Sequence, residues 1–165
     1  MKTLIVYDTR YGTTQTIAHW LSEATVGECD VVNVADVGDV ASLDYDLIIV
    51  GSPIYTDDLL PRVKQFLLDE RDALSGKNVA VFFVYDDLLT LKSKAYVEEL
   101  REYAPPNVIA VGVFGGYFNL NTLNEDDRLT MEEFFDRLGK RYEVLDHRNK
   151  GEVLRFGKLV CEKLA

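Results

Sequence analysis

The chain is poor in the residues that build metal centres and disulfide frameworks. Among 165 residues there are two cysteines, Cys29 and Cys161, with no CxxC pair, and two histidines, His19 and His147. That supply suggests neither a zinc site nor a stapled scaffold, and both cysteines are expected to be buried, inert thiols. Positive charge is also scarce: 18 Lys and Arg stand against 28 Asp and Glu, a formal charge of -10. Nucleic acid and anionic membranes need cations to replace counterions, so neither is expected as a partner. No apolar run approaches the ~20 residues of a membrane span, and Met1–Val6 is too short for a signal peptide, which points to a cytoplasmic protein. No internal repeat or low-complexity tract interrupts the chain. The nucleotide motifs GxGxxG and GxxxxGK[ST] are missing, which excludes the common nicotinamide and nucleoside triphosphate folds.

What is present is a 47% hydrophobic chain of a length that suits one domain, residues 1–165, with one continuous core. Residues 2–7 read as a nearly continuous apolar strand, followed by a helix over Thr13–Ala24 with Ile17, Trp20, Leu21 and Ala24 on its buried side. Cys29–Val34 reads as a second strand, and the acidic stretch Ala35–Tyr45 leaves room for one short helix. Leu47–Val50 is a third strand, expected to stop at Gly51–Pro53 because Pro cannot continue a central ladder. A loop over Ile54–Leu60 leads to a helix that starts at Pro61 and turns Val63, Phe66 and Leu67 inward. Val79–Val84 and Val108–Phe114 supply the fourth and fifth strands, separated by a helix over about Ser93–Tyr103 that stops before Pro105-Pro106. Strand and helix alternate throughout, which predicts an α/β, doubly wound, five-stranded parallel sheet with helices on both faces.

After the fifth strand the pattern breaks into an insertion over about residues 115–149. Thr130 and Glu133 form a capping-box pattern, with Leu129 and Phe134 spaced as a hydrophobic staple, which predicts a helix over Met131–Arg141. Tyr117, Phe118 and Leu120 either line an apolar entrance or pack the insertion against the core. The ordinary burial of large apolar side chains favours packing. A last helix, about Lys150–Leu164, places Val153, Phe156, Val160 and Leu164 on one face.

In an open parallel sheet, ligands bind at the carboxyl ends of strands where the winding reverses. Three loops lie at those ends: Asp8–Thr13, Gly51–Leu60 and Tyr85–Lys92. The first runs from a strand through Thr9, Arg10, Tyr11, Gly12, Thr13 and Thr14 into a helix, so free backbone N–H groups and the positive end of a helix dipole converge on one spot. Such a turn cradles an anion, or else is an ordinary Thr-capped turn. The second loop sets Tyr55 beside Thr56, Asp57 and Asp58, and the third sets Tyr85 beside Asp86 and Asp87. A phosphorylation receiver, built on the same strand order, would need an Asp closing the third strand and a Lys closing the fifth. The chain has Gly51-Ser52 and Gly115-Gly116 there.

These residues carry a resemblance. Over its full length the chain resembles the flavodoxin family, matching a T-x-x-G-x-T phosphate motif at Thr9, Gly12 and Thr14 and a G-S-P-x-Y loop at Gly51–Tyr55. Flavodoxin is itself an example of the switch-point rule, so the placement of the site owes as much to the resemblance as to topology. The Thr9-Arg10 pair, the run Asp46–Pro53 and the insertion look most like the branch that includes menaquinone-dependent protoporphyrinogen dehydrogenase. The resemblance implies strand order 2-1-3-4-5 and noncovalently held flavin mononucleotide (FMN). Its phosphate would sit on Thr9–Thr14, and its ring between Ser52, Pro53, Ile54, Tyr55 and Thr56 on one side and Tyr85, Asp86 and Asp87 on the other.

Within that picture Arg10 could lend a charge to the phosphate, and the two tyrosines could stack on the ring. Aspartates near the ring oppose anionic reduction; a unit charge at roughly 8 Å and effective dielectric ~20 is worth about 2 kcal/mol. The third loop departs from the glycine-rich acidic-aromatic pattern of simple flavodoxins. In the insertion, Asn124-Glu125-Asp126-Asp127 is more acidic than a segment docking on a quinone-containing membrane should be. The expectation is an electron carrier serving redox partner proteins of the ferredoxin or flavodoxin-reductase type. The alternative is an FMN-dependent oxidoreductase such as a protoporphyrinogen dehydrogenase or quinone reductase.

Overall fold

A computed structural model describes residues 1–55, 57–85, 97–98 and 101–165. Five parallel strands make the main sheet: β1 (Lys2–Tyr7), β2 (Glu28–Asn33), β3 (Leu47–Tyr55), β5 (Asn78–Val84) and β6 (Val108–Phe114). Their order is β2-β1-β3-β5-β6, with a two-residue strand β4 (Asp58–Leu59) folded back antiparallel on β3. Apart from β4, this is the expected 2-1-3-4-5 arrangement.

Alternation along each strand feeds two cores. Leu4, Val6, Ile48, Val50, Val79, Val81 and Phe83 face one way, toward α2 (Pro61–Asp69) and α3 (Arg71–Ser75). On the other face Ile5, Tyr7, Ile49, Ala80, Phe82 and Val84 pack under α1 (Thr13–Ser22) and α5 (Lys150–Glu162). The helices cover both faces because the strands are apolar on both, as parallel strands are. Phe82, Phe114 and Phe156 form an aromatic ladder in this second core, with centroids 5.9 and 5.6 Å apart. A Cβ on Gly51 would lie 2.1 Å from the Phe82 ring, so the third strand needs glycine there to let that ring through.

Several expectations are corrected. β3 runs through Pro53 to Tyr55 rather than ending at Gly51–Pro53. The reason is directional: the Gly51 carbonyl accepts from Asp8 N–H on the β1 side, so by alternation Pro53 faces that same side, where β1 pairing has already stopped at Gly51. The missing N–H therefore breaks no ladder bond. In place of one short helix over Ala35–Tyr45 there are two single 3₁₀ turns, Val34–Asp36 and Val40–Ser42, each capped by the preceding Asn33 or Asp39 side chain. Cys29 and Cys161 are free but only half-buried. Trp20 is likewise half-buried, beside the Arg148 guanidinium 5.8 Å from its ring. Most of the helix expected over Ser93–Tyr103 lies outside the described residues.

The insertion forms a small layer of its own: a hairpin-like pair β7 (Tyr117–Asn119) and β8 (Val144–Asp146), with α4 (Glu125–Leu138) between them in sequence. Here the predicted helix start was wrong. Asn124 caps α4 and three acidic residues, Glu125, Asp126 and Asp127, fill its first turn, so the helix begins six residues before Met131. Thr130, read as a cap, sits within the helix and donates to the Asp126 carbonyl at 2.9 Å. At the other end Gly139 adopts φ 63 and closes α4, with Lys140 N–H on the Phe135 carbonyl at 3.1 Å. Phe118, Phe134, Phe135 and Tyr142 stack into one aromatic cluster, so Phe118 packs within the insertion.

Candidate functional site

The first loop leaves β1 at Asp8 and enters α1 through Gly12, whose φ of 87 and ψ of -8 put it in the left-handed region. That conformation turns the chain sharply, and glycine alone adopts it without strain. Thr9 Oγ1 accepts the Gly12 N–H at 2.9 Å, which closes the turn. α1 then starts with no side-chain cap, so its first-turn N–H groups are left for another acceptor. A Cβ built on Gly12 would meet no atom within 4 Å, so the space beside the glycine is open. Thr14 is fully buried, and its hydroxyl has no hydrogen-bond partner. The uncapped helix start and the unpartnered Thr14 hydroxyl leave donors that an anion at this turn could take.

Asp8, at the base of this loop, is 2% exposed and carries a bidentate pair with Arg62 from the first turn of α2, at 3.0 and 3.2 Å. Its Oδ1 also accepts the Thr9 N–H at 2.8 Å. Sequence reasoning gave neither residue a role. An acid directly after an apolar strand was the available signal, but its partner lies 54 positions away with nothing to mark it. Asp8, Thr9, Arg10, Leu60, Pro61 and Arg62 line a cleft of about 340 Å³ between the first and second loops, within the size range of small-molecule sites.

The other residues of the first loop turn toward the insertion. Thr13 Oγ1 donates to the Tyr117 carbonyl at 3.0 Å, so its proton is already used. Arg10 Nε lies 3.1 Å from Asp127 Oδ2, and its guanidinium is 5.9 Å from the Tyr55 ring centre. The Tyr11 hydroxyl donates to Asp127 and accepts the Asn124 N–H at 3.2 Å. Burial first, then the Asp127 hydrogen bond, raises the Tyr11 pKa, so the phenol keeps its proton at neutral pH. In sequence, Asn124–Asp127 stands out only as acidity unsuited to membrane docking, yet an Asn followed by a run of acids is also a helix-start signal.

The second loop is a tight hairpin. Ser52 is buried, donates to the Pro53 carbonyl at 2.8 Å and accepts the Leu60 N–H at 3.1 Å, so its hydroxyl fastens the hairpin. Pro53 is buried; Ile54 and Tyr55 are half-buried at the strand end, paired with Leu59 and Asp58. Asp57 turns the hairpin at φ 66. Asp58 is bound to Lys64 at 2.8 Å, which holds its carboxyl below the usual range and compensates the charge expected to act on a nearby ring. Burial pushes the Tyr55 phenol up to about 12. In the third loop Tyr85 is half-buried, its N–H on the Phe114 carbonyl at 3.1 Å. Thr56, Asp86 and Asp87 lie outside the described residues.

The first two loops therefore meet at the carboxyl ends of β1 and β3, where the winding reverses, and the Asp8 N–H to Gly51 carbonyl bond joins them at 3.2 Å. The model of the flavodoxin domain family matches residues 4–143. The chain belongs to the flavodoxin family. Its solved neighbours share the fold: the flavodoxin of Megasphaera elsdenii superposes with a TM-score of 0.60 at 20% identity, covering 97% of this chain and 98% of that one. The Lactobacillus acidophilus flavoprotein, solved in complex with FMN, superposes with a TM-score of 0.52 at 23% identity, over 68% of this chain and 92% of that one. In sequence, a nitric oxide reductase of Moorella thermoacetica is 39% identical over 84 residues, which are 47% of this chain and 21% of that protein. This flavodoxin-family chain thus matches about a fifth of that longer relative. Among the described residues no helix is long and apolar enough to cross a membrane, and no group of three or more His, Cys, Asp or Glu is placed to hold a metal.

Proposed function

We propose that this flavodoxin-family chain binds FMN noncovalently and carries electrons between redox partner proteins. The observation that carries the reading is the uncapped start of α1 beside the open face of Gly12, with the Thr14 hydroxyl buried and unpartnered. Backbone N–H groups of the first turn, the helix dipole and the Thr9 and Thr14 hydroxyls would hold the phosphate. Tyr55 and Tyr85 would flank the ring, with Ser52 and Pro53 shaping the loop beneath Tyr55. The bound flavin supplies the electron-accepting and electron-donating chemistry. The chain's residues orient it and set its electrostatic surroundings: Tyr55 stays neutral, and Lys64 offsets Asp58. Exposed Glu125, Asp126 and Glu133 on α4 give an acidic outer face that steers a basic partner, such as one of ferredoxin or flavodoxin-reductase type.

The test is direct. Purified protein should be yellow and release FMN on denaturation, and a reductase of that type should reduce it rapidly, more slowly as salt rises. A colourless chain that ignores added FMN would sink the reading. Turnover of protoporphyrinogen with menaquinone present would replace the carrier with an FMN-dependent enzyme.

A further inference from the structure

The helix in the insertion is capped partly from outside itself. Asn124 Oδ1 accepts the Asp127 N–H at 2.8 Å, an ordinary cap. In a capping box the third helical residue also reaches back to the cap residue's N–H. Here Tyr11 stands between them: the Asn124 N–H donates to the Tyr11 hydroxyl at 3.2 Å, and that hydroxyl donates to the Asp127 carboxylate. Asn124 Nδ2 also donates to Asp127 at 3.1 Å, and Arg10 pairs with the same oxygen at 3.1 Å. Thr13 adds its bond to the Tyr117 carbonyl. The first loop and the first turn of α4 thus share one hydrogen-bond network, in which Arg10, Tyr11 and Thr13 reach outward while Gly12 and Thr14 shape the cradle.

We infer that Asn124 and Asp127 are positioning residues for the phosphate cradle: by holding Arg10 and Tyr11 they keep the loop in its anion-binding shape. This rests on the FMN reading above. A short loop with a left-handed glycine loses conformational entropy when it closes on a ligand, and outside anchors remove that cost beforehand. By linkage the coupling is reciprocal, so a flavin phosphate on the cradle also steadies the first turn of α4. Riboflavin, which lacks the phosphate, is the internal control.

The experiment uses the full chain, with flavin affinity read by fluorescence quenching and α4 by hydrogen exchange. Tyr11→Phe and Asp127→Ala should each weaken FMN by about tenfold while changing riboflavin affinity less than about twofold. The double variant should be no weaker than the weaker single, because both break one network. Asp127→Asn keeps an acceptor for Tyr11 and the helix cap, so it should recover most of the Asp127→Ala loss; it remains informative if the more disruptive variants fail to fold. In the parent protein FMN, but not riboflavin, should slow exchange over residues 124–128, and Tyr11→Phe should abolish that slowing. Tyr11→Phe or Asp127→Ala proteins that fold and bind FMN within about twofold of the parent would overturn the inference, as would equal losses for FMN and riboflavin. A parent protein that binds no FMN would overturn the reading beneath it instead.

Discussion

The first loop leaves donors open where it enters α1: the helix start is uncapped and the buried Thr14 hydroxyl has no partner, beside clear space at Gly12. The second loop, across the same crevice, closes its own. Ser52 bonds both Pro53 and Leu60, the strand ends pair into a hairpin, and Asp58 is matched by Lys64. An anion is bound by donors that nothing else satisfies, whereas a flat ring is bound by a rigid surface. The entry to α1 therefore keeps unsatisfied polar groups, whereas the hairpin of the second loop satisfies its own.

Breaking the first loop should have the larger effect on ligand and breaking the second the larger effect on shape. Gly12→Val puts a branched Cβ into the open space and forces a strained φ, so FMN affinity should fall at least about 100-fold in a quenching titration. Affinity unchanged by that variant would show that the cradle lies elsewhere. Ser52→Ala leaves the Leu60 N–H without its acceptor and should cost about 1–3 kcal/mol in a denaturant titration, with a smaller change in phosphate-dependent binding. Arg62→Ala strips the buried Asp8 carboxylate of its bidentate partner and should lower stability by about 1–3 kcal/mol, because Asp8 joins both loops.

The smallest effect is a pH dependence. Tyr55 has its folded pKa raised from 10.0 to about 12, so its contribution to stability is full below pH 10 and is lost as pH rises through about 12. In the unfolded chain the phenol loses its proton first, which favours unfolding. Tyr55→Phe should make the alkaline unfolding curve shallower over that interval; an unchanged curve would show that Tyr55 is not buried as described.

Much of the scaffold could be read before folding. Largely apolar runs at residues 2–7, Leu47–Val50 and Val79–Val84 marked the buried strands because both faces of a parallel sheet are covered, and Pro61 marked the start of α2. Boundaries failed where two local signals competed. The Thr130 pattern mimicked a cap inside a helix that Asn124 begins, and Pro53 mimicked a strand end because its direction relative to β1 is not a local property. The site divides the same way. Thr9, Gly12 and Thr14 lie within six residues and the turn they make is local, so its shape was accessible. Asp8 with Arg62, and Tyr11 with Asp127, are pairs 54 and 116 positions apart with no spacing that links them.

The order of residues along the chain settles which segments become strands and helices, the winding that brings two loops to one crevice, and a left-handed glycine turn at the start of α1. These follow from short-range sterics, apolar periodicity and backbone hydrogen bonding, all of which operate within a few residues. Which charges are neutralised, which hydroxyls remain available, and the joining of the insertion to the cradle were decided only in three dimensions. A hydrogen bond or ion pair acts over a few ångströms, and only the folded sheet brings Arg62 to Asp8 and Asp127 to Tyr11.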